Sequence, residues 1–170
     1  IAMKIGMYNK KITSEKYQSF IQNLKLVPNF LSKILSLNEK FINLAQSIKN
    51  SPNILYLGRG ILYPLALEGA LKLKELSYIH SEGFAAGEMK HGPIALIEEG
   101  LPIIMFLTSD GMEEKSISNL QEALARGGEV FLISDQKNIN KISFIENKVL
   151  IPSFHDTWND VFSPIFMSIP

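Results

Sequence analysis

The sequence predicts an α/β fold, a three-layer α/β/α sandwich in which helices cover both faces of a parallel sheet. Short and almost wholly apolar runs recur along the chain, as expected of strands that are buried on both faces. Segments with apolar residues at three- and four-residue steps separate these runs, as expected of the helices that connect parallel strands. The runs lie at residues 54–57, 102–107 and 129–133, with a weaker one at 148–151.

Composition and charge fit one soluble domain. The chain has 170 residues, 46% of them hydrophobic and 20% charged, which is enough apolar material for a sizeable core. Seventeen basic residues balance seventeen acidic ones, so no net field would draw the chain onto nucleic acid or an anionic membrane. No apolar run approaches the roughly 18 residues that span a bilayer. The chain has no cysteine, which excludes disulfides and fits a reducing compartment. We therefore expect a cytoplasmic domain that binds neither nucleic acid nor membrane.

Helical patterns precede the first strand. Apolar residues recur at helical spacing across residues 14–50, which predicts two lead-in helices with a break near Val27 and Pro28. We expect residues 1–50 to form such lead-in helices and residues 51–170 to form the α/β core of a single domain.

Glycines and a proline mark the turn after the first strand. Gly58-Arg59-Gly60 closes the apolar run, and Pro64 suits the first turn of a following helix. The same glycines could offer backbone donors to a phosphate, but the third glycine of a dinucleotide site and the lysine of a P-loop are absent. We therefore favour a tight strand-to-helix turn without a ligand.

Two further helices follow later strands. One is predicted to start at Asp110, with Glu113 completing a capping box, and to stop at Gly127-Gly128. The last is predicted to begin near Asp156, and we expect Pro164 to bend it unless this proline falls in the first turn.

A charged stripe interrupts the helix after the first strand. Glu68, Lys72 and Glu75 are spaced by four and three residues and therefore share one helical face. An ordinary exposed ion-pair stripe is one interpretation. Apolar residues flank this stripe on both sides, however, so we expect restricted water and propose Glu75 as a candidate general base. The flanking residues are Leu65, Leu73 and Leu76 on one side and Leu67, Leu71 and Tyr78 on the other.

A loop with three ionisable side chains follows. Gly87 and Gly92-Pro93 bracket Glu88, Lys90 and His91, so the backbone is expected to turn sharply there. Histidine donates or accepts a proton near neutral pH, and Glu88 is close enough in sequence to orient the imidazole. A histidine that only caps the turn is the alternative.

The other histidines carry no comparable pattern. His80 and His155 lack flanking glycines, so we assign them no chemistry. The spacing of His80, Glu88 and His91 matches no compact zinc motif, and no cysteine can complete one. We expect neither a metal ion nor a cofactor.

Together, these motifs resemble one enzyme family. "EGALKLKE", "GEMKHGP", "LGRG" and "ARGG" resemble the isomerase half of glutamine-fructose-6-phosphate aminotransferase, also called glucosamine-6-phosphate synthase, most closely across residues 57–97. The resemblance implies a flavodoxin-like sugar isomerase (SIS) domain, the second of two in that half. The chain starts at Ile1 rather than methionine and ends within a helical pattern, so we expect a C-terminally truncated part of a larger protein.

The resemblance also implies roles for three residues. Glu75 matches the glutamate that moves a proton between C1 and C2 of open-chain fructose 6-phosphate. His91 matches the histidine that assists ring opening from the neighbouring subunit of a homodimer, and Lys72 matches a lysine that lines the same site. The sugar-phosphate loop, the imine-forming lysine and the glutaminase domain of the family lie outside this chain, so we expect the chain alone to lack synthase activity.

Two alternatives remain open at the level of sequence. One is a non-catalytic SIS module that binds a sugar phosphate or regulates a partner. The other is a related amino-sugar deglycase or deaminase. The presence of Lys72, Glu75 and His91 together favours the synthase.

Overall fold

One parallel sheet organises the chain. The computed structural model describes residues 1–138, 140–154 and 158–168, without the side chains of Gln136 and Asp160. The sheet order is β2-β1-β3-β4-β5, and every pair of neighbouring strands is parallel. This arrangement confirms the predicted fold class. The strands are β1 (Asn53–Gly58), β2 (His80–Ala85), β3 (Pro102–Leu107), β4 (Glu129–Asp135) and β5 (Lys148–Ile151).

Seven α-helices surround the sheet in the described part of the chain. The predicted break near Val27 and Pro28 is present, but the number of lead-in helices was wrong, because a second break between Leu35 and Asn38 makes three helices from Ser14 to Ile48. Pro28 sits in the first turn of the second of these three, where its missing N–H costs nothing. The helices are α1 (Ala2–Tyr8), α2 (Ser14–Leu24), α3 (Val27–Leu35), α4 (Asn38–Ile48), α5 (Tyr63–Ser77), α6 (Glu113–Ala125) and α7 (Asn159–Met167).

The sheet separates two hydrophobic clusters, which confirms the three-layer sandwich. Alternate residues of a strand point to opposite faces. Tyr56 and Phe106 join a cluster with Ala66 and Ala70 of α5 and with residues of α3, α4 and α7. We call this side the α5 face. Leu57 and its counterparts on β3 and β4 join a second cluster with α6, and we call that side the α6 face.

The lead-in helices pack against the last helix on the α5 face. The indole Nε1 of Trp158 donates a hydrogen bond to Ser19 Oγ at 3.0 Å. The Phe20 ring stacks on Phe162 with centroids 5.9 Å apart, and the Phe30 ring stacks on Phe166 at 5.4 Å. These contacts bind α2 and α3 to α7, so the helices before β1 are part of the same packed body.

The turn from β1 into α5 is tight, as predicted. A Cβ at Gly58 would collide with the carbonyl group of Leu62 and would lie 2.9 Å from Tyr63 Cα. Only glycine leaves room for the chain to reverse there. Gly60 has a φ of +56°, and Pro64 lies in the first turn of α5.

The start of α6 differs from the prediction. The predicted capping box at Asp110 was wrong: α6 begins at Glu113, and Asp110 Oδ1 instead accepts a hydrogen bond from Met112 N at 2.8 Å. That bond closes a turn before the helix, so the carboxylate is not at the helix cap. The predicted start near Asp156 lies outside the described residues. Pro164 lies inside α7, beyond its first turn.

Within the described residues, no helix combines the length and the apolar composition needed to cross a membrane.

Candidate functional site

The charged stripe on α5 forms as predicted. The ammonium group of Lys72 donates a hydrogen bond to Glu75 Oε2 at 2.8 Å and lies 3.8 Å from Glu68 Oε1. The hydrogen bond from Lys72 to Glu75, together with the negative charge of Glu75, raises the pKa of Lys72. Lys72 therefore stays protonated and places a positive charge in direct contact with the Glu75 carboxylate.

The expected enclosure of the stripe is absent from the single chain. The side chains of Lys72 and Glu75 are 53% and 50% exposed. Leu76 is 80% exposed, and Tyr78 is 92% exposed. The prediction of restricted water was therefore wrong for one chain, because of the six flanking residues only Leu65 and Leu73 pack against the core cluster. On the other flank, Leu67 and Leu71 stay 44% and 43% exposed.

An apolar groove lies beside the stripe. Its volume is about 330 Å³, and it runs between α4, α5 and the end of α7. Glu68 and Lys72 contribute to its wall, whereas Tyr56 and Phe106 belong to the core beneath it. Burial raises the pKa of Tyr56 to about 12. This lining suits apolar groups better than a sugar phosphate, and Glu75 is not part of it.

The loop with His91 forms a short 3₁₀ helix, Ala86–His91, directly after β2. Ala86 and Met89 are fully buried in the cluster of the α6 face. His91 itself is 73% exposed, and its Nε2 atom lies 4.0 Å from Glu88 Oε2. This distance permits an ionic contact but is too long for a hydrogen bond, so Glu88 does not fix the imidazole in the way that the sequence suggested.

The sheet lies between the two candidate catalytic elements. The helix with Lys72 and Glu75 packs on the α5 face, whereas the loop with His91 packs on the α6 face. The structure therefore brings Lys72 and Glu75 together and leaves His91 apart from them.

His80 does not join the other candidate residues. Its Nδ1 atom lies 3.2 Å from Asn53 Oδ1, and its Nε2 atom lies 3.8 Å from Glu82 at the exposed start of β2. In the described ranges, no three acidic, histidine or cysteine side chains gather as a metal site would require. His155 lies outside the described residues.

Sequence analysis missed a buried polar cluster where β3 and β4 end. Asp135 is 1% exposed and accepts hydrogen bonds from Thr108 Oγ1 at 3.1 Å, Ser109 N at 2.9 Å and Asn138 Nδ2 at 3.0 Å. Asn159 of α7 donates to the same threonine hydroxyl at 2.8 Å. Polar residues directly follow the apolar runs at residues 102–107 and 129–133, and this pattern could have indicated the cluster. The cluster ties two strand ends to α7.

Comparison with known proteins identifies the family. The SIS domain model matches residues 47–152, which include the whole sheet, the α5 stripe and the loop with His91. The chain belongs to the SIS domain family. The resemblance noted from the sequence and the predicted fold class are thereby confirmed.

Similar proteins narrow the relationship of this SIS domain. Glutamine-fructose-6-phosphate aminotransferase (isomerizing) of Mesorhizobium japonicum is 40% identical over 171 residues, which is 100% of this chain and 28% of that protein. The enzyme of the same name from Zymomonas mobilis is 49% identical over 141 residues, which is 83% of this chain and 23% of that protein. The SIS domain thus spans about a quarter of the length of these curated relatives.

A solved structure agrees with this relationship. The C-terminal domain of glucosamine-fructose-6-phosphate aminotransferase from Francisella tularensis superposes with a TM-score of 0.88 and is 32% identical in sequence. The match covers 98% of this chain and 47% of that one. The lead-in helices therefore belong to the shared fold together with the sheet.

Proposed function

We propose that this SIS domain is part of the isomerase half of a glucosamine-6-phosphate synthase, which converts fructose 6-phosphate and ammonia from glutamine to glucosamine 6-phosphate. The observation that carries the proposal is the Lys72–Glu75 pair, a carboxylate in contact with an ammonium group at 2.8 Å on the surface of α5. Similarity to the aminotransferases along the whole chain supports it.

Glu75 is the proposed general base. Once ammonia has replaced the ketone oxygen at C2 as an imine, Glu75 takes a proton from C1 while the imine nitrogen gains one, which leaves a C1–C2 double bond. Glu75 then returns its proton to C2, and the C1 hydroxyl loses its proton, so that C1 becomes the aldehyde. One carboxylate that both accepts and returns a proton fits this sequence of steps. The neighbouring Lys72 ammonium keeps that carboxylate oriented and stabilises negative charge at the substrate.

His91 is the proposed acid for ring opening. When the cyclic sugar opens, the C2 hydroxyl loses its proton, the bond between C2 and the ring oxygen breaks, and the ring oxygen gains a proton. An imidazole suits this transfer near neutral pH. Because the sheet separates His91 from Glu75 within one chain, we propose that the site forms in a homodimer, with His91 from the partner. The second copy would also cover the exposed flank of the stripe. The absence of cysteine supports a reducing, cytoplasmic setting.

A hybrid enzyme tests the general base. The matching domain of the M. japonicum enzyme is replaced by this chain, and glucosamine 6-phosphate formation from fructose 6-phosphate and glutamine is measured. We expect Glu75→Gln to lower kcat by roughly 10²- to 10⁴-fold, the usual contribution of a general base. Lys74→Gln, on the same helix but outside the stripe, is the control. Full turnover by the Glu75→Gln hybrid would reject the catalytic role and favour a sugar-binding module.

Mixed dimers test the origin of the histidine. Each single variant, Glu75→Gln or His91→Ala, is expected to be nearly inactive. When the two variants are co-expressed, half of the dimers are mixed, and each mixed dimer holds one intact site, so about one quarter of the full activity should return. No recovery in verified mixed dimers would show that Glu75 and His91 must come from the same chain.

A further inference from the structure

The loop with His91 is anchored to α6 by the residue next to the histidine. Lys90 Nζ lies 2.9 Å from Glu122 Oε1 in the last turn of α6. On the other side of Lys90 in the chain, Met89 is fully buried in the cluster of the α6 face. His91 thus projects into solvent directly after a buried methionine and a lysine that makes an ion pair with α6.

Glu122 Oε1 lies between Lys90 and Ser118, whose hydroxyl donates a hydrogen bond to it at 3.3 Å. The side chain of Glu122 is only 22% exposed, and its second oxygen, Oε2, is buried without a hydrogen bond from any described residue. The hydrogen bond from Lys90 lowers the pKa of Glu122 and so keeps the carboxylate charged. Removal of the Lys90 ammonium group would leave this partly buried carboxylate with the neutral hydroxyl donor of Ser118, so the ion pair draws the Lys90 side chain towards α6.

Arg59 lies between the same loop and α6. Its Nη1 atom donates a hydrogen bond to Asn119 Oδ1 at 3.1 Å, one turn before Glu122 on α6. A Cβ at Gly87 would lie 2.9 Å from that Nη1 atom. The guanidinium group therefore occupies the space directly against the loop, where a larger residue than glycine would displace either the arginine or the backbone.

We propose that Glu122 and Arg59 are positioning residues, which set the place of the loop that presents His91 to the substrate. The inference rests on the proposed function, because it assigns importance to the place of His91. Neither residue is proposed to touch the sugar. Arg59 also stands in the turn between β1 and α5, so the residue that lies against Gly87 belongs to the turn that leads into the helix with Glu75.

Kinetics in the hybrid enzyme provide the first test. Fructose 6-phosphate is compared with 5-deoxyfructose 6-phosphate, which lacks the C5 hydroxyl and cannot close into a furanose ring. Since misplacement of a catalytic group by about 1 Å can cost up to 10²-fold, we expect Glu122→Gln to lower kcat for fructose 6-phosphate at least about tenfold. The rate with the open-chain analogue should stay within about twofold of the unmodified hybrid, because that substrate needs no ring opening.

Matched variants separate positioning from general damage. Lys90→Met should reproduce the loss seen with Glu122→Gln, whereas Lys90→Arg, which keeps the ion pair, should restore most of the rate. Arg59→Lys should show the same preference for the open-chain analogue as Glu122→Gln. Gln121→Ala, exposed on α6 beside Glu122, should change neither rate. Equal losses on both substrates, or no loss at all, would overturn the positioning role.

Hydrogen exchange in this chain alone gives a second test that does not depend on activity. The backbone amides of residues 86–91 should exchange at least about tenfold faster in Glu122→Gln and Lys90→Met, but not in Lys90→Arg or Gln121→Ala. Unchanged exchange in that loop contradicts the inference. If Glu75→Gln and His91→Ala abolish turnover while the Glu122 variant does not, only the positioning role fails. If Glu75→Gln leaves turnover intact, the proposed function itself fails.

Discussion

Replacement of Tyr56 by phenylalanine should make the protein less sensitive to alkaline pH. Burial raises the pKa of Tyr56 from 10.0 to about 12, so the folded state keeps this proton after the unfolded state has lost it. Stability is therefore lost as the pH rises above the unfolded value. For a pKa that moves from about 10 to about 12, linkage gives a loss of about 1.4 kcal/mol at pH ~11 and about 2.7 kcal/mol above pH ~12.

Urea unfolding, followed by the fluorescence of Trp158, measures this effect at about pH 8 and about pH 11. The free energy of unfolding of the unmodified chain should fall by about 1.4 kcal/mol more than that of Tyr56→Phe over this interval. Tyr78→Phe is the matched control, since Tyr78 is 92% exposed. Parallel pH profiles for the unmodified chain and Tyr56→Phe would refute the argument, and so would an equal change in the control.

Three further predictions concern single contacts. Gly58→Ala should lower the free energy of unfolding by about 3 kcal/mol in urea denaturation, because the added Cβ collides with the carbonyl group of Leu62. A change below about 1 kcal/mol would mean that the turn relaxes easily. Asp135→Asn should lower the free energy of unfolding by about 2 to 3 kcal/mol in the same assay, because an amide NH₂ group would face the donors of Thr108 and Ser109. An unchanged denaturation midpoint would contradict these hydrogen bonds. Lys90 lowers the pKa of Glu122, so the ion pair stabilises the folded chain only while the Glu122 carboxyl is charged. The unmodified chain should therefore be more stable than Glu122→Gln at neutral pH, and this difference should disappear as the pH falls through the carboxyl pKa. A constant difference in denaturation midpoint down to about pH 3 would count against the ion pair.

Four of the five strands could be predicted because their signal is local. A strand buried on both faces must be apolar throughout, and β3 lies at the predicted residues. The edge strand β5, where three apolar residues follow Lys148, also lies where predicted. The strand that sequence analysis missed is β2, whose sequence HSEGFA contains no apolar run. It lies at the edge of the sheet, where it pairs only with β1, and Ser81 Oγ donates to the carbonyl of Ala70 in α5 at 2.7 Å. Its conformation depends on these partners, which are distant in sequence.

The candidate site likewise has one part that local sequence predicts and one part that depends on the folded structure. Helical geometry alone places Lys72 and Glu75 on one face, so their contact could be predicted. The exposure of that face could not, because it depends on which elements cover Leu76 and Tyr78 after folding. The Lys90–Glu122 ion pair was equally inaccessible: the two residues are far apart in sequence, and only the packing of the loop on α6 brings them together.

The position of the sheet between the α5 stripe and the His91 loop has a consequence for how an enzyme built on this domain would behave on dilution. In the proposed arrangement, an isolated subunit lacks a complete active site, because Glu75 and His91 come from different subunits. Specific activity would then decline as the protein concentration falls below the dimer dissociation constant, even though every subunit stays folded. Turnover measured at successive dilutions would then follow the monomer–dimer equilibrium. A compound that prevents dimer formation would inhibit the enzyme without competing with the sugar substrate.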